Sequence, residues 1–245
     1  MLSVILLSIT PSFAEENYIS DDEEIIISQG DWVNMKHENG SFFCSVGYVD
    51  KEKNTILFAG HCVKGLEKGE SIYASDMVTE IGVLKDSSYS KITRPYSDYA
   101  VVELTNSKPG NNIFTGDKWT SPHQVSIGDE LCSYGNSSKQ IHCGKVLSVN
   151  HNVIIGDKNS GGIRGDSGGP AWIPNKGFVG VFSVFTDNSS GFTYPKLMFH
   201  KDSMIGAPMG VYEYLEASGD RVSILRKMSY FSVDAKEAFL KLFSK

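Results

Sequence analysis

Gly165-Asp166-Ser167-Gly168-Gly169-Pro170 sets three glycines and a proline around a single serine. Glycine takes positive φ angles that residues with a Cβ avoid, and it lets a backbone come close to a bound group. Amides converging in such a loop can bind a developing oxyanion, and the Ser167 hydroxyl would face the same carbon. Alone, the hexapeptide also fits a plain Gly-Pro turn. The rest of the chain has to decide between the two.

The chain has 245 residues, enough for one large or two small domains with a real core. Its formal net charge is −6 and its Lys and Arg residues are scattered, which argues against a nucleic-acid partner. Short Val/Ile/Phe-rich runs recur between Gly, Asn, Asp and Lys clusters, the pattern of an all-β protein. Strands are expected at residues 42–49, 55–59, 71–73, 81–84 and 100–104, then at 130–134, 141–150, 171–173, 178–185 and 209–212. Residues 106–112, with Pro109 and Gly110, separate the two sets as a linker. Near the end, Ser232 is a natural N-cap for a helix whose apolar face is Val233, Ala238, Phe239, Leu240 and Phe243.

The apolar run at residues 2–9 is too short to span a bilayer, and Ser12-Phe13-Ala14 offers the small residues a signal peptidase reads. A signal peptide over residues 1–14 is expected, although no basic residue precedes the apolar run; a buried N-terminal strand is the alternative. Glu15-Glu16 and Asp21-Asp22-Glu23-Glu24 follow, with too few apolar neighbours for stable structure. No later run is long and apolar enough for a membrane helix. A secreted monomer, free of the membrane once the signal is removed, is the expectation.

Four cysteines, an even number, fit an exported chain, and three connectivities are open. Cys44 and Cys62 lie near the ends of neighbouring strand-like runs, and Cys132 and Cys143 flank a hairpin-like stretch, which favours pairing 44–62 and 132–143. There is no CxxC, and His142 beside Cys143 is not a ligand set, so no metal is expected.

Serine is a poor nucleophile without a base and a group to orient that base. Ala59-Gly60-His61-Cys62 places a histidine at the end of a strand-like run. Ser97-Asp98-Tyr99-Ala100 places a carboxylate just ahead of the apolar Ala100-Val101-Val102, where a half-buried aspartate can hold one imidazole tautomer. With His61, Asp98 and Ser167 in this order, the chain resembles the chymotrypsin family of serine proteases, and within it the bacterial streptogrisin and alpha-lytic type. The resemblance covers roughly residues 27–225. Phe58-Ala59-Gly60-His61-Cys62 matches the family's Thr-Ala-Gly-His-Cys pattern with phenylalanine in place of threonine, and Asp98-Tyr99-Ala100 matches a segment common in bacterial members. Cys132 to Val146 looks like the bacterial second-barrel hairpin with its disulfide. Ile27-Ser28-Gln29-Gly30-Asp31 resembles the mature N-terminus of streptogrisins.

The resemblance implies an all-β fold of two antiparallel six-stranded Greek-key barrels, over residues 27–110 and 111–230, with the catalytic groups in the cleft between them. Residues 15–26 then read as an acidic propeptide and residues 231–245 as a C-terminal helix. It implies His61 as general base and then acid, Asp98 as its orienting group and Ser167 as the acylated nucleophile of a peptide or protein substrate. The amides of Gly165 and Ser167 would bind the oxyanion, and no cofactor is required. Gly161 stands at the pocket-floor position where trypsin-like members carry aspartate, so an uncharged P1 residue (the one ahead of the scissile bond) is expected. Arg164 at the rim offers an acidic P1 as second choice. Ser183 matches the serine that backs the aspartate, Phe182 and Phe185 stand where smaller residues often sit, and Gly210 leaves one wall open. Residues 186–208 read as an insertion over the cleft. Asp166 needs a cationic partner in this family. The arginine that supplies it in many bacterial members is Ser133 here, so a new amino terminus at Ile25 or Ile27, released from a zymogen, is expected instead.

Two rivals remain at this level. Gly165-Asp166-Ser167-Gly168-Gly169 also fits the G-x-S-x-G elbow of α/β-hydrolases, but that order needs a later histidine, for which His200 is the sole candidate, and alternating helices. The other rival is a catalytically inactive homologue serving as a binding module.

Overall fold

The computed structural model describes residues 24–37, 40–89, 98–150 and 153–195. The expected signal peptide, most of the acidic segment, the strand at 209–212, Gly210 and the C-terminal helix lie outside the described residues. Fifteen strands are described, in the order β1 (Ile26–Ile27), β2 (Trp32–His37), β3 (Gly40–Ser45), β4 (Tyr48–Asp50), β5 (Thr55–Phe58), β6 (Ser71–Ala74), β7 (Glu80–Ser87), β8 (Ala100–Leu104), β9 (Lys108–Pro109), β10 (Glu130–Gly135), β11 (Gln140–Asn150), β12 (Val153–Asp157), β13 (Pro170–Ile173), β14 (Gly177–Phe185) and β15 (Ser189–Thr193). Short 3-10 turns are the only helical pieces among the described residues.

The second half closes into a six-stranded barrel, β10-β11-β12-β15-β14-β13, antiparallel throughout. The first half is a seven-stranded sheet in the order β3-β2-β6-β7-β8-β5-β4. Its two edge strands are consecutive in the chain, joined by Val46-Gly47, so the sheet curls back on itself and six strand positions ring one core. The stretch 42–49, read from sequence as one strand, is thus two. The break falls where the Val46 amide donates to Asp31 and the Gly47 amide to Leu57.

Alternation along β5 and β8 explains why both read as unbroken apolar runs. Ile56, Phe58, Ala100 and Val102 fill the first barrel, while Leu57 and Val101 face outward into a second cluster with Tyr48 and Tyr99. From the other side β14 supplies Phe178 and Val181 to that cluster, while Val179 and Phe182 fill the second barrel. A register shift opposite Ala171 and Trp172 reassigns the faces of β14, as a bulge does. The barrels therefore dock through apolar side chains, each contributing on the order of 1.5–3 kcal/mol when fully buried.

Five strands were not expected: β1, β2, β9, β12 and β15. The last lies inside the stretch read as an insertion over the cleft. Ser189–Thr193 is instead a wholly buried barrel strand, paired on one side with β12 and on the other with β14.

Both expected disulfides form, Cys44–Cys62 and Cys132–Cys143. The second spans 11 residues and joins directly paired positions of β10 and β11. Replacing Cys132 and Cys143 together by serine should lower the unfolding free energy by roughly 3 kcal/mol on the chain-entropy account, measured by chemical denaturation.

Candidate active site

His61 sits in a 3-10 turn, Gly60–Val63, directly after β5. Its amide donates to Asp98 Oδ1 (2.6 Å), and its ring Nδ1 pairs with Asp98 Oδ2 (2.8 Å). One carboxylate thus holds both backbone and ring. With the carboxylate as acceptor, Nδ1 carries the proton and Nε2 presents its lone pair. Asp98 is in turn placed by its neighbour: Ser88 Oγ accepts from the Tyr99 amide (2.8 Å), and the Ser88 amide donates to the Tyr99 carbonyl (2.9 Å). Both residues are buried.

Burial alone would pull the His61 pKa down. The negative charge of Asp98 and its hydrogen bond to the ring outweigh that effect and leave the imidazole above its ordinary value of 6.5. A third of the His61 side chain stays exposed, open to a substrate.

The serine loop is fixed from both barrels. The Ser45 amide, at the end of β3, donates to the Ser167 carbonyl (2.8 Å). Gly168 and Gly169 form a reciprocal pair with Phe182 of β14: the Gly168 amide donates to the Phe182 carbonyl (2.8 Å), and the Phe182 amide to the Gly169 carbonyl (2.9 Å). Gly168 has a φ of +85°, and a Cβ there would come 2.5 Å from the Ser45 carbonyl oxygen and 3.0 Å from the Ala59 nitrogen. Only glycine lets the loop press against the chain just ahead of His61.

Gly165, with a φ of +92°, turns the preceding peptide. Among the described residues, neither the Gly165 nor the Ser167 amide has an acceptor, whereas those of Asp166, Gly168 and Gly169 do. Two free donors beside one hydroxyl are what an oxyanion site needs. The Asp166 carboxylate is buried; Oδ1 accepts from the Ser138 amide (2.8 Å) and Oδ2 from the Ile163 amide (2.9 Å). No cation pairs with it among the described residues. Ser133, at the position where an arginine was looked for, instead donates its hydroxyl to the Ser160 carbonyl (2.6 Å).

Of the expected pocket residues, Gly161 is buried against Ser190 and Phe182. Arg164 is exposed on the loop leading to Ser167. Phe185 stacks on Phe182 (6.2 Å between ring centroids). Ser183 departs from expectation. It sits where the β14–β15 register shifts, and its hydroxyl bonds to Thr193 Oγ1 (2.9 Å) rather than backing Asp98. Cys44, His61 and Cys62 cluster closely enough to suggest a metal site, but the two sulfurs are joined to each other. Ser45, Ser88, Ser138 and Ser190 escaped the sequence reading altogether.

A family model for trypsin matches residues 21–199. The chain belongs to the trypsin family. It is 25% identical over 187 residues to an uncharacterized protein of Mycobacterium tuberculosis, a match covering 72% of this chain and 82% of that one. Its fold is similar to that of Cellulomonas bogoriensis chymotrypsin, with a TM-score of 0.50, 20% identity and coverage of 81% of this chain and 99% of that one. It is also similar in fold to a glutamic acid-specific serine protease that utilizes a histidine triad in substrate binding. There the TM-score is 0.51, with 20% identity and coverage of 80% and 100%. The two-barrel expectation therefore holds, and the α/β-hydrolase alternative does not.

If His61 must be neutral to act, kcat/KM should rise with pH through an inflection above the ordinary histidine value. Asp98→Asn removes the charge that holds the ring up, so the inflection should fall. The same substitution should lower kcat by about 10⁴-fold, the size of its effect in the trypsin triad. A pH–rate profile of both forms checks the two effects together.

Proposed function

We propose that this chain is a secreted serine endopeptidase that works through an acyl-enzyme on Ser167. The observation that carries the reading is the double hydrogen bond from His61 to Asp98 on the barrel face against which the Ser167 loop is pressed. In the proposed reaction His61 Nε2 takes the Ser167 proton as Oγ bonds to the scissile carbonyl carbon. The oxyanion accepts from the Gly165 and Ser167 amides, each such donor being worth on the order of 10²–10³ in rate. His61 then gives its proton to the leaving amine. A water, deprotonated by the same ring, releases the acyl group. Asp98 stays ionised and stabilises the imidazolium. Gly161, uncharged at the pocket floor, favours an uncharged P1 residue.

Two disulfides support folding in an oxidising compartment, and with the stretch over residues 1–14 they favour export. The buried Asp166 carboxylate, held by two amides and no cation among the described residues, supports activation by cleavage. A buried charge is costly unless paired, and a new terminal ammonium would pair it. Residues 29–31 pass beside the hairpin that holds Asp166, where Asn136 Nδ2 donates to the Gly30 carbonyl (2.8 Å).

A fluorophosphonate probe should label the active chain, and Ser167→Ala should abolish labelling while far-UV circular dichroism stays unchanged. A folded wild type that resists the probe would move the reading to an inactive binding homologue. Mass spectrometry should find the active form beginning at Ile25 or Ile27; full activity in a chain beginning at Glu15 would rule cleavage out.

A further inference from the structure

The ladder between β7 and β8 ends at the Ser87–Ala100 pair. One residue further the chains are still joined, but through a side chain. The Ser88 amide donates to the Tyr99 carbonyl (2.9 Å). The return bond, which an antiparallel pair makes to a backbone carbonyl, goes instead from the Tyr99 amide to Ser88 Oγ (2.8 Å). The same hydroxyl donates to the Tyr99 carbonyl (3.1 Å). One enclosed serine, 1% exposed, thus grips residue 99 at both its amide and its carbonyl.

The backbone it grips lies directly against the histidine turn. A Cβ added at Gly60, the neighbour of His61, would come 2.8 Å from the Tyr99 carbonyl oxygen and 3.0 Å from its nitrogen. The Tyr99 ring is buried in the apolar cluster between the barrels. Packing of that kind has no preferred direction, so the bonds to Ser88 set how the peptide is turned.

That orientation passes straight to Asp98, because the Tyr99 N–H belongs to the peptide group that Asp98 begins. The Asp98 carboxylate has little else to fix it. Among the described residues both its oxygens bond to His61, one to the amide (2.6 Å) and one to the ring (2.8 Å). Ser183, expected behind it, bonds to Thr193 Oγ1 instead. A carboxylate can orient an imidazole only if its own backbone is held.

We propose that Ser88 is a positioning residue: its hydroxyl fixes the peptide between Asp98 and Tyr99, and so takes over the placing of Asp98 on His61 that was expected of Ser183. The inference rests on the acyl-transfer reading of Ser167, since it concerns the base of that same site. Ser88 acts through Asp98 and has no part in the chemistry itself. Without the hydroxyl, the Tyr99 amide loses this acceptor inside the protein, a costly loss for a buried donor.

The test uses the full chain in its active form, with active sites counted by end-point fluorophosphonate titration and each variant assayed well below its unfolding transition. Ser88→Ala should lower kcat by about 10²-fold, the effect of misplacing a catalytic group by about 1 Å, with KM within about twofold of wild type. Burial lowers the His61 pKa and Asp98 more than offsets it, so a displaced carboxylate should also carry the pH inflection of kcat/KM downward. Ser88→Thr, which keeps the hydroxyl, should bring both back toward wild type. A titratable Ser88→Ala enzyme with wild-type kcat and inflection overturns the inference while the acyl-enzyme reading stands. So does a fall in kcat with the inflection unmoved, the mark of a merely structural role. A wild type that the probe does not label overturns both. Should Ser88→Ala not fold, Ser88→Cys, close to serine in size but a weak hydrogen-bond partner, is read by the same two criteria.

Discussion

Residues 44 and 45, at the end of one strand, gather the two halves of the site. Cys44 is bonded to Cys62, the neighbour of His61. Ser45 donates its amide to the carbonyl of Ser167, and its hydroxyl accepts from the Asn136 amide (2.9 Å). His61 and Ser167 come from different barrels and lie far apart in the chain, yet each is anchored to the same two residues. A buried hydrogen bond contributes only about 1 kcal/mol net. Its value here is positional: together with the bond from Ser45 Oγ to the Gly165 carbonyl (3.3 Å), it holds the serine loop in register with the histidine turn.

The half-buried Asp98 and the buried Asp166 are treated differently. Asp98 faces a ring that can become a cation, and its negative charge holds the His61 pKa above the ordinary value. Asp166 faces the Ser138 and Ile163 amides and fastens the turn that carries Gly165 and Ser167.

The parts of the site legible in the sequence are those written contiguously. Ala59-Gly60-His61-Cys62, Asp98-Tyr99-Ala100 and the glycine-rich loop each declare themselves within a few residues, and the cysteines flank short segments. What stayed hidden depends on partners distant in sequence. Ser45 and Ser88 are unremarkable polar residues until the fold brings Ser167 and Tyr99 to them. β15 carries Ser-Ser-Gly-Phe-Thr, with almost no apolar signal, and is buried because small residues fit where the barrel wall meets Gly161. Ser183 bonds to Thr193 at a register shift, and such shifts leave no mark in composition.

The interface of Tyr48, Leu57, Tyr99, Val101, Phe178 and Val181 has a different character from the two cores it separates. The second barrel closes its hydrogen-bonded ladder, the first is a seven-stranded sheet curled around its own core, and among the described residues no strand ladder crosses between them. What joins them is apolar contact, which has no preferred direction, with hydrogen bonds gathered at the serine loop and at residues 111–117, where Gln29 accepts from the Phe114 and Thr115 amides and Asn112 pairs with Val49. The cleft is therefore less stable than either wall. Under mild denaturant or pressure the halves can part slightly while both sheets keep their circular dichroism, and the reactive groups lose alignment first. Alignment of His61 with the serine loop in such a molecule works as a gauge of docking, lost before anything conventionally called unfolding has begun.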